Sequence, residues 1–226
     1  MMGNILAIDT ATNACSAAVQ WHGAIYHRWE HASIAHGDRI LVLVEAVLSE
    51  AGAELSDLDA IAFGCGPGSF TGLRIGVGVA QGLAFAANIS LIPISNLAIL
   101  AQQGQRRLGS TRSLIAMDAR MGEIYWAGYT LDMIENRLHL VGEESVCRPD
   151  DAVVPADAGW VGIGTGWHAP ALRARCLAAV SHIEADWLPD SLDALPLAQQ
   201  AWRSGLTVRP VDATPTYLRN NVAHVR

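Results

Sequence analysis

A chain of 226 residues that is 51% hydrophobic and only 16% charged is globular, with enough core-forming material for one large domain or two small ones, and is not a disordered segment. Its formal charge of −7, carried against 15 arginines and no lysine, leaves no basic face able to grip RNA unaided and no lysine for a GxxxxGK[ST] phosphate loop. Four scattered cysteines without a CxxC pair, and an apolar start interrupted at Asp9, point away from a secreted disulfide framework and toward reduced thiols in a cytoplasm.

The first thirty residues read as a three-stranded meander. Asn4 to Ile8 is a short apolar run, Cys15 to Trp21 alternates small and apolar residues, and His22-Gly23 turns the chain into Ala24 to Glu30. Asp38 is placed to cap a helix reaching Ala51, with Gly52 just beyond. Ile40, Leu41, Val44, Val47, Leu48 and Ala51 form one apolar stripe, and Val42, Leu43 and Ala46 widen it past the usual arc. A helix apolar on two sides is expected to pack on two sides, once on its own sheet and once on a partner.

Leu58 to Cys65 reads as a buried strand ending in the glycine-rich string GCGPGSFTGLRIG, followed by a helix over Thr71 to Ala87. That helix steps in glycine, at Gly72 and Gly76 and again at Gly78 and Gly82. Each glycine costs about 1 kcal/mol against alanine unless another backbone packs closely on it. Either this chain's own sheet or another chain's helix can supply that packing. No charge occurs from Ile75 to Gln105, but Gln81, Asn88, Pro93 and Asn96 break the run into helix, strand (Leu91 to Ile94) and helix (Asn96 to Gln103), not a membrane span. The polar stretch Gly104 to Arg112 marks a boundary between a first subdomain over 1–105 and a second over 106–226. The second half restarts with strands at Leu114 to Asp118, Ile124 to Leu131 and Leu138 to Glu144. A strand over Val161 to Gly164 opens into GTGW, and helices follow over Pro170 to Ala179 and Leu192 to Ser204. The tail PTYLRNNVA is too apolar to hang free and is expected to dock back.

Candidate chemistry is sparse. Asp9-Thr10-Ala11-Thr12 at a strand end could hold a metal-bound phosphate, or could be a turn stabilised by its own side chains. The glycines of Gly64 to Gly76, with Ser69 or Thr71 at the following helix start, could form an anion site or a tight strand-to-helix turn. His27 and His31 sit on one strand roughly 13 Å apart, too far to share a metal ion, and the other histidines are isolated. Asp118, Arg120 and Glu123 flank a turn and read as solvated charges. No nucleophile motif is present.

GPGSFTGLRIG, together with ILAIDTAT, DARMGEIY and PTYLRNNVA in that order along nearly the whole chain, resembles the TsaB (YeaZ) family. The resemblance implies an α/β, actin-like and sugar-kinase-like (ASKHA, ribonuclease H-like) fold of two subdomains with mixed sheets. It implies a required, non-catalytic subunit of the complex that moves a threonylcarbamoyl group from threonylcarbamoyl-AMP to the exocyclic amine of the adenosine 3′ to the anticodon in tRNAs reading A-starting codons. The expected partners are the catalytic paralogue TsaD and the ATPase TsaE, with tRNA reached indirectly, a homodimer when alone, and no membrane. The catalytic paralogue holds a metal with an HxxxH in a stretch like VNHLEAH. The matching ISNLAIL puts Asn96 and Leu100 at those positions, so no metal is expected here, and no cofactor beyond ATP or ADP bound within the complex. The expected partner interface is Leu41, Val42, Val44, Glu45, Leu48, Arg74, Gly78 and Gly82. The expected vestigial nucleotide loops are Asp9, Thr10, Thr12, Gly66, Gly68, Gly164 and Gly166. An ATP-dependent small-molecule kinase and a glycoprotease-like metallopeptidase are the alternative readings of the same fold.

Overall fold

The computed structural model describes residues 2–31 and 36–219. Two five-stranded mixed sheets organise it. The first contains β1 (Ile5–Asp9), β2 (Ala14–Trp21), β3 (Ala24–His31), β4 (Ala60–Gly66) and β5 (Ser90–Ser95), in the order β3-β2-β1-β4-β5. The meander supplies the antiparallel half, and β4 and β5 add in parallel. The parallel additions need crossovers, which are α1 (His36–Ala51) and α2 (Phe70–Ala87). The second sheet repeats the plan with β6 (Arg112–Asp118), β7 (Ile124–Asp132), β8 (Arg137–Cys147), β9 (Trp160–Ile163) and β10 (Val180–Glu184), in the order β10-β9-β6-β7-β8.

Burial follows from which face each helix covers. Leu6, Ile8, Ile61 and Phe63 point from the first sheet into a core completed by Val47 of α1 and Val77, Ala80 and Ala84 of α2. Ile5, Ala7 and Ala62 point the other way, against Ile99 of α3 (Asn96–Leu108) and Ala194, Leu195 and Ala198 of α5 (Ser191–Arg203). Both faces of β1 are thus covered, which explains why its run is apolar without alternation. Each of Ile5, Leu6, Ile8 and Phe63 is fully buried, contributing about 1.5–3 kcal/mol apiece. α3 also covers the second sheet through Leu97, Leu100 and Ala101, so it sits between the sheets. The far face of the second sheet buries Trp126, Trp160 and Trp167 with Leu172 of α4 (Pro170–Arg175). α2 is long and apolar enough by composition to cross a bilayer, with a mean hydropathy of 1.3 over 18 residues. Its Leu73, Val77, Ala80 and Ala84 are nevertheless buried on the first sheet, as in a core helix.

Several sequence expectations shift. Asp38 lies inside the first turn of α1, which begins at His36. α3 continues through the expected boundary string to Leu108 and ends at Gly109, whose φ is +64°. Gly104 does not break the helix because it serves packing: a Cβ there would meet Ile163 Cδ1 at 2.4 Å. The helix from Pro170 stops at Arg175, not Ala179, and β10, which the alanine-rich sequence concealed, follows. α5, although in the second half of the sequence, packs on the first sheet, and Val208 bridges to Leu91 of β5. Residues 208–216 run back along the first half, with Val208 bridging Leu91, Gln81 donating to the Pro210 and Ala213 carbonyls, and the Thr216 N–H donating to the Cys65 carbonyl. Residues 220–223 of the PTYLRNNVA string lie outside the described residues.

Candidate functional site

The end of β1 is a knot of backbone and polar side chains. Asp9 is 2% exposed and accepts from Asn96 Nδ2 at 2.5 Å and from the Ala11 N–H at 3.2 Å. Asn96 Oδ1 in turn accepts the Gly66 N–H at 2.8 Å. Burial pushes the Asp9 carboxyl up to about 7, and the bonds from Asn96 and Ala11 hold it partly back. Thr10 Oγ1 donates to the Gly72 carbonyl at 2.8 Å, and the Ser69 N–H donates to the Ala11 carbonyl at 2.7 Å.

This packing accounts for the glycine-rich string. A Cβ at Gly64 would lie 1.9 Å from Asp9 Oδ2, one at Gly68 2.6 Å from the Ala11 carbonyl, and one at Gly72 2.1 Å from the Thr10 carbonyl. Gly66, with φ +121°, brings its backbone against the Thr216 carbonyl, 2.5 Å from a Cβ placed there. Gly164 and Gly166 are likewise closed, against the carbonyl and Cβ of Ala116. Of the expected nucleotide loops, Asp9 and Thr10 are sealed, and Thr12 and Gly68 remain on open surface.

That open surface is a cleft of about 440 Å³ between the two sheets. The four strings that carry the family resemblance meet there: Ala11 to Asn13, Gly68 to Phe70, Asp118 to Arg120 with Tyr125, and Thr216 to Arg219. Thr165 of GTGW joins them. Asp118 is exposed, and its Oδ1 accepts the Arg120 N–H at 2.8 Å. Glu123, expected to be solvated, instead holds Arg219. Asn13, Tyr125, Tyr217 and Arg219 were missed as lining residues, whereas Ser69, expected at the helix start, lines the cleft too. For Tyr217 and Arg219 the signal was the tail, which carries an aromatic and an arginine close together.

The expected partner face divides. Leu41 and Val42 of α1 are each 48% exposed, Glu45 is exposed and Leu48 half-buried. Val44 is a correction: it is 4% exposed, used in the chain's own core beside Ile40 and Val47. Arg74 is exposed, with its guanidinium 3.5 Å above the Phe70 ring and its Nε donating to the Tyr217 hydroxyl at 3.2 Å. The four α2 glycines are of two kinds. Gly72 and Gly76 press on Thr10, whereas a Cβ at Gly78 or Gly82 would meet nothing within 4 Å. The internal half of the glycine stepping therefore belongs to this fold, and the exposed half meets nothing among the described residues. Phe85, on the same helix, is 78% exposed.

Asn96 and Leu100 are both fully buried, and Leu100 offers only hydrocarbon, packed with Ile115 and Met117. The histidines are less isolated than expected. His27, His168 and His182 each have a carboxylate within 2.9 Å, on Asp190, Asp186 and Glu184. His139 lies with Asp132 and Glu135 on the β7–β8 hairpin, their ligand atoms within 4.8 Å of one another. The His36 side chain and His224 lie outside the described residues.

Comparison with known proteins agrees with this architecture. Residues 29–162 match the family profile of TsaD, tRNA N6-adenosine threonylcarbamoyltransferase. The chain is 44% identical over 223 residues to the tRNA threonylcarbamoyladenosine biosynthesis protein TsaB of Escherichia coli, covering 97% of this chain and 96% of that one. It is 37% identical over 226 residues to the protein of the same name from Haemophilus influenzae, covering 96% and 94%. Among solved structures, YeaZ from Pseudomonas aeruginosa superposes with a TM-score of 0.87 at 42% identity, over 96% of this chain and all of that one.

Proposed function

Because this chain belongs to the TsaB family of tRNA threonylcarbamoyladenosine biosynthesis proteins, we propose that it is the non-catalytic subunit that binds a TsaD-type threonylcarbamoyltransferase and is required for its activity. TsaE completes the complex, tRNA is reached through it, and the chain self-associates when the partner is absent. The setting is the cytoplasm, where tRNA is modified.

One observation carries this reading. Gly78 and Gly82 stand open on α2, near exposed Phe85, while α1, which packs against α2, exposes Leu41 and Val42. Two adjacent glycines without internal use cost a soluble helix about 1 kcal/mol each. A second helix approaching closely enough to use their backbone would offset that cost and cover the apolar side chains around them.

The absence of chemistry of its own is supported by the residues in the expected metal and phosphate positions. Leu100 has no lone pair to offer, Asn96 spends its amide on Asp9 and Gly66, and the glycines of the nucleotide loops face backbone. Nucleotide is expected only in the assembled complex. The test is substitution of Gly78 or Gly82 by tryptophan in the full chain. Loss of co-purification with the TsaD-type partner, with circular dichroism unchanged, is the expected result. Undiminished co-purification overturns the assignment of this face.

A further inference from the structure

The final described stretch, residues 213–219, crosses from one half of the molecule to the other. The Thr216 N–H donates to the Cys65 carbonyl at 2.7 Å, pinning the segment to the end of β4. Tyr217 then rests on the first turns of α2: its hydroxyl accepts from Arg74, and its ring centroid lies 6.1 Å from that of Phe70. Arg219 reaches the second sheet. Its guanidinium donates to the Ala119 carbonyl at 3.1 Å and pairs with the Glu123 carboxylate, so one side chain staples both ends of the β6–β7 turn.

The stapled turn has unusual backbone. Arg120, Met121 and Gly122 have φ of +63°, +56° and +76°, three successive left-handed residues, two of them bearing a Cβ. Such residues are uncommon and persist where the surroundings impose the conformation. The Ala119 N–H donates to the Glu123 carbonyl at 3.0 Å and closes the turn from within, and Arg219 spans the same two residues from outside. Tyr217, two residues earlier, has a second property: it walls the cleft on one side and, on the other, the shallow groove along α2 beside Gly78. Tyr217 is the residue the two surfaces share.

We infer that residues 213–219 are a strap that couples the β6–β7 turn to the partner-binding face of α2. This rests on the reading of α2 given above. With Arg219 seated, the turn is held left-handed and Tyr217 is held against Phe70 and Arg74. When the staple is released, the turn relaxes and Tyr217 loses its anchor, so the groove beside Gly78 changes shape and the partner binds less well. By reciprocity, a bound partner tightens the turn.

The test measures affinity of the full chain for the TsaD-type partner by calorimetry. Neither Arg219 nor Glu123 lines the groove along α2. Arg219→Ala and Glu123→Gln are each expected to weaken binding by up to about five-fold, the most that a partly exposed ion pair contributes, and the double variant no further. The charge-swapped pair, Arg219→Glu with Glu123→Arg, restores binding relative to Arg219→Glu alone, which a merely structural tail would not do. Amide exchange at residues 120–122 rises in Arg219→Ala and falls when partner is added to the wild type. Should Arg219→Ala fail to fold, Glu123→Gln and the wild-type exchange experiment decide. Unchanged affinity in these variants while Gly78→Trp abolishes binding overturns the strap and leaves the α2 assignment standing. Unchanged affinity in all of them, Gly78→Trp included, overturns that assignment as well.

Discussion

The Asn96 side-chain amide donates to the Asp9 carboxylate at 2.5 Å while its carbonyl oxygen accepts the Gly66 N–H at 2.8 Å, so one asparagine joins the ends of β1 and β4 from the start of α3. The acid at the end of β1 is thereby turned inward, into the fold, and away from the cleft.

This inward turn makes the fold sensitive to pH. The folded Asp9 carboxyl titrates near 7 against an ordinary 3.8, because burial disfavours its charge. Between these values the folded chain holds a proton that the unfolded chain has lost, so stability falls as pH rises from about 4 to about 7, with a slope of at most about 1.4 kcal/mol per pH unit from this group. Asp9→Asn should flatten that slope in urea unfolding series at pH 5, 6, 7 and 8. An unaltered slope would show that Asp9 is ionised throughout.

The α2 glycines should separate cleanly by position. Gly72→Ala places a methyl 2.1 Å from the Thr10 carbonyl and should cost about 1–3 kcal/mol in chemical unfolding. Gly78→Ala and Gly82→Ala meet nothing and should stabilise the monomer by up to about 1 kcal/mol each through helix propensity. Equal effects at both kinds of position would contradict the packing described.

Asp193 of α5 has a fully buried side chain, held by Arg106 of α3 through bonds of 2.6 and 2.9 Å. Burial raises its pKa even with Arg106 in place. Arg106→Ala should cost about 2–4 kcal/mol at neutral pH, because it strands a buried carboxylate. The folded pKa then rises further above the unfolded value, so the loss should shrink toward acid pH, where the carboxyl is neutral. Thermal midpoints at two pH values measure this.

The alternative chemistries of the fold are each open to a direct assay. A kinase of this architecture would bind Mg-ATP alone, and calorimetry of the purified chain should show no saturable heat at millimolar nucleotide. A metallopeptidase would carry its ion, and metal analysis should find no stoichiometric zinc or iron. Saturable Mg-ATP binding or a tightly held ion would each restore the corresponding alternative.

Strand and helix order was readable because the periods are clean: β1, β2 and β4 are short apolar runs between turn residues, and α1 and α2 carry broad apolar faces. β10 was not readable, since Val180 to Glu184 follows an alanine-rich stretch whose local preference is helical and whose pairing with β9 is a tertiary matter. The glycine-rich string advertised close backbone approach, but not what approaches; Ala11, Thr10 and Thr216 lie 57, 62 and 150 residues from Gly68, Gly72 and Gly66 in the chain. The strings carrying the family resemblance were visible one by one, and only folding placed Tyr217 and Arg219 beside Phe70 and Glu123. Val44 and Val42 look alike in the sequence, and two residues, about 200° around the helix, send the first into the core and the second to solvent.

The claim that this chain lacks chemistry of its own yet is indispensable to a partner is tested by reconstituting tRNA threonylcarbamoylation from purified TsaD, TsaE and this chain, with threonylcarbamoyl-AMP as donor. Modified adenosine should form with all components, fail when this chain is omitted or replaced by its Gly78→Trp variant, and be absent when this chain is the only protein. Product from this chain by itself, or full product without it, would contradict the account.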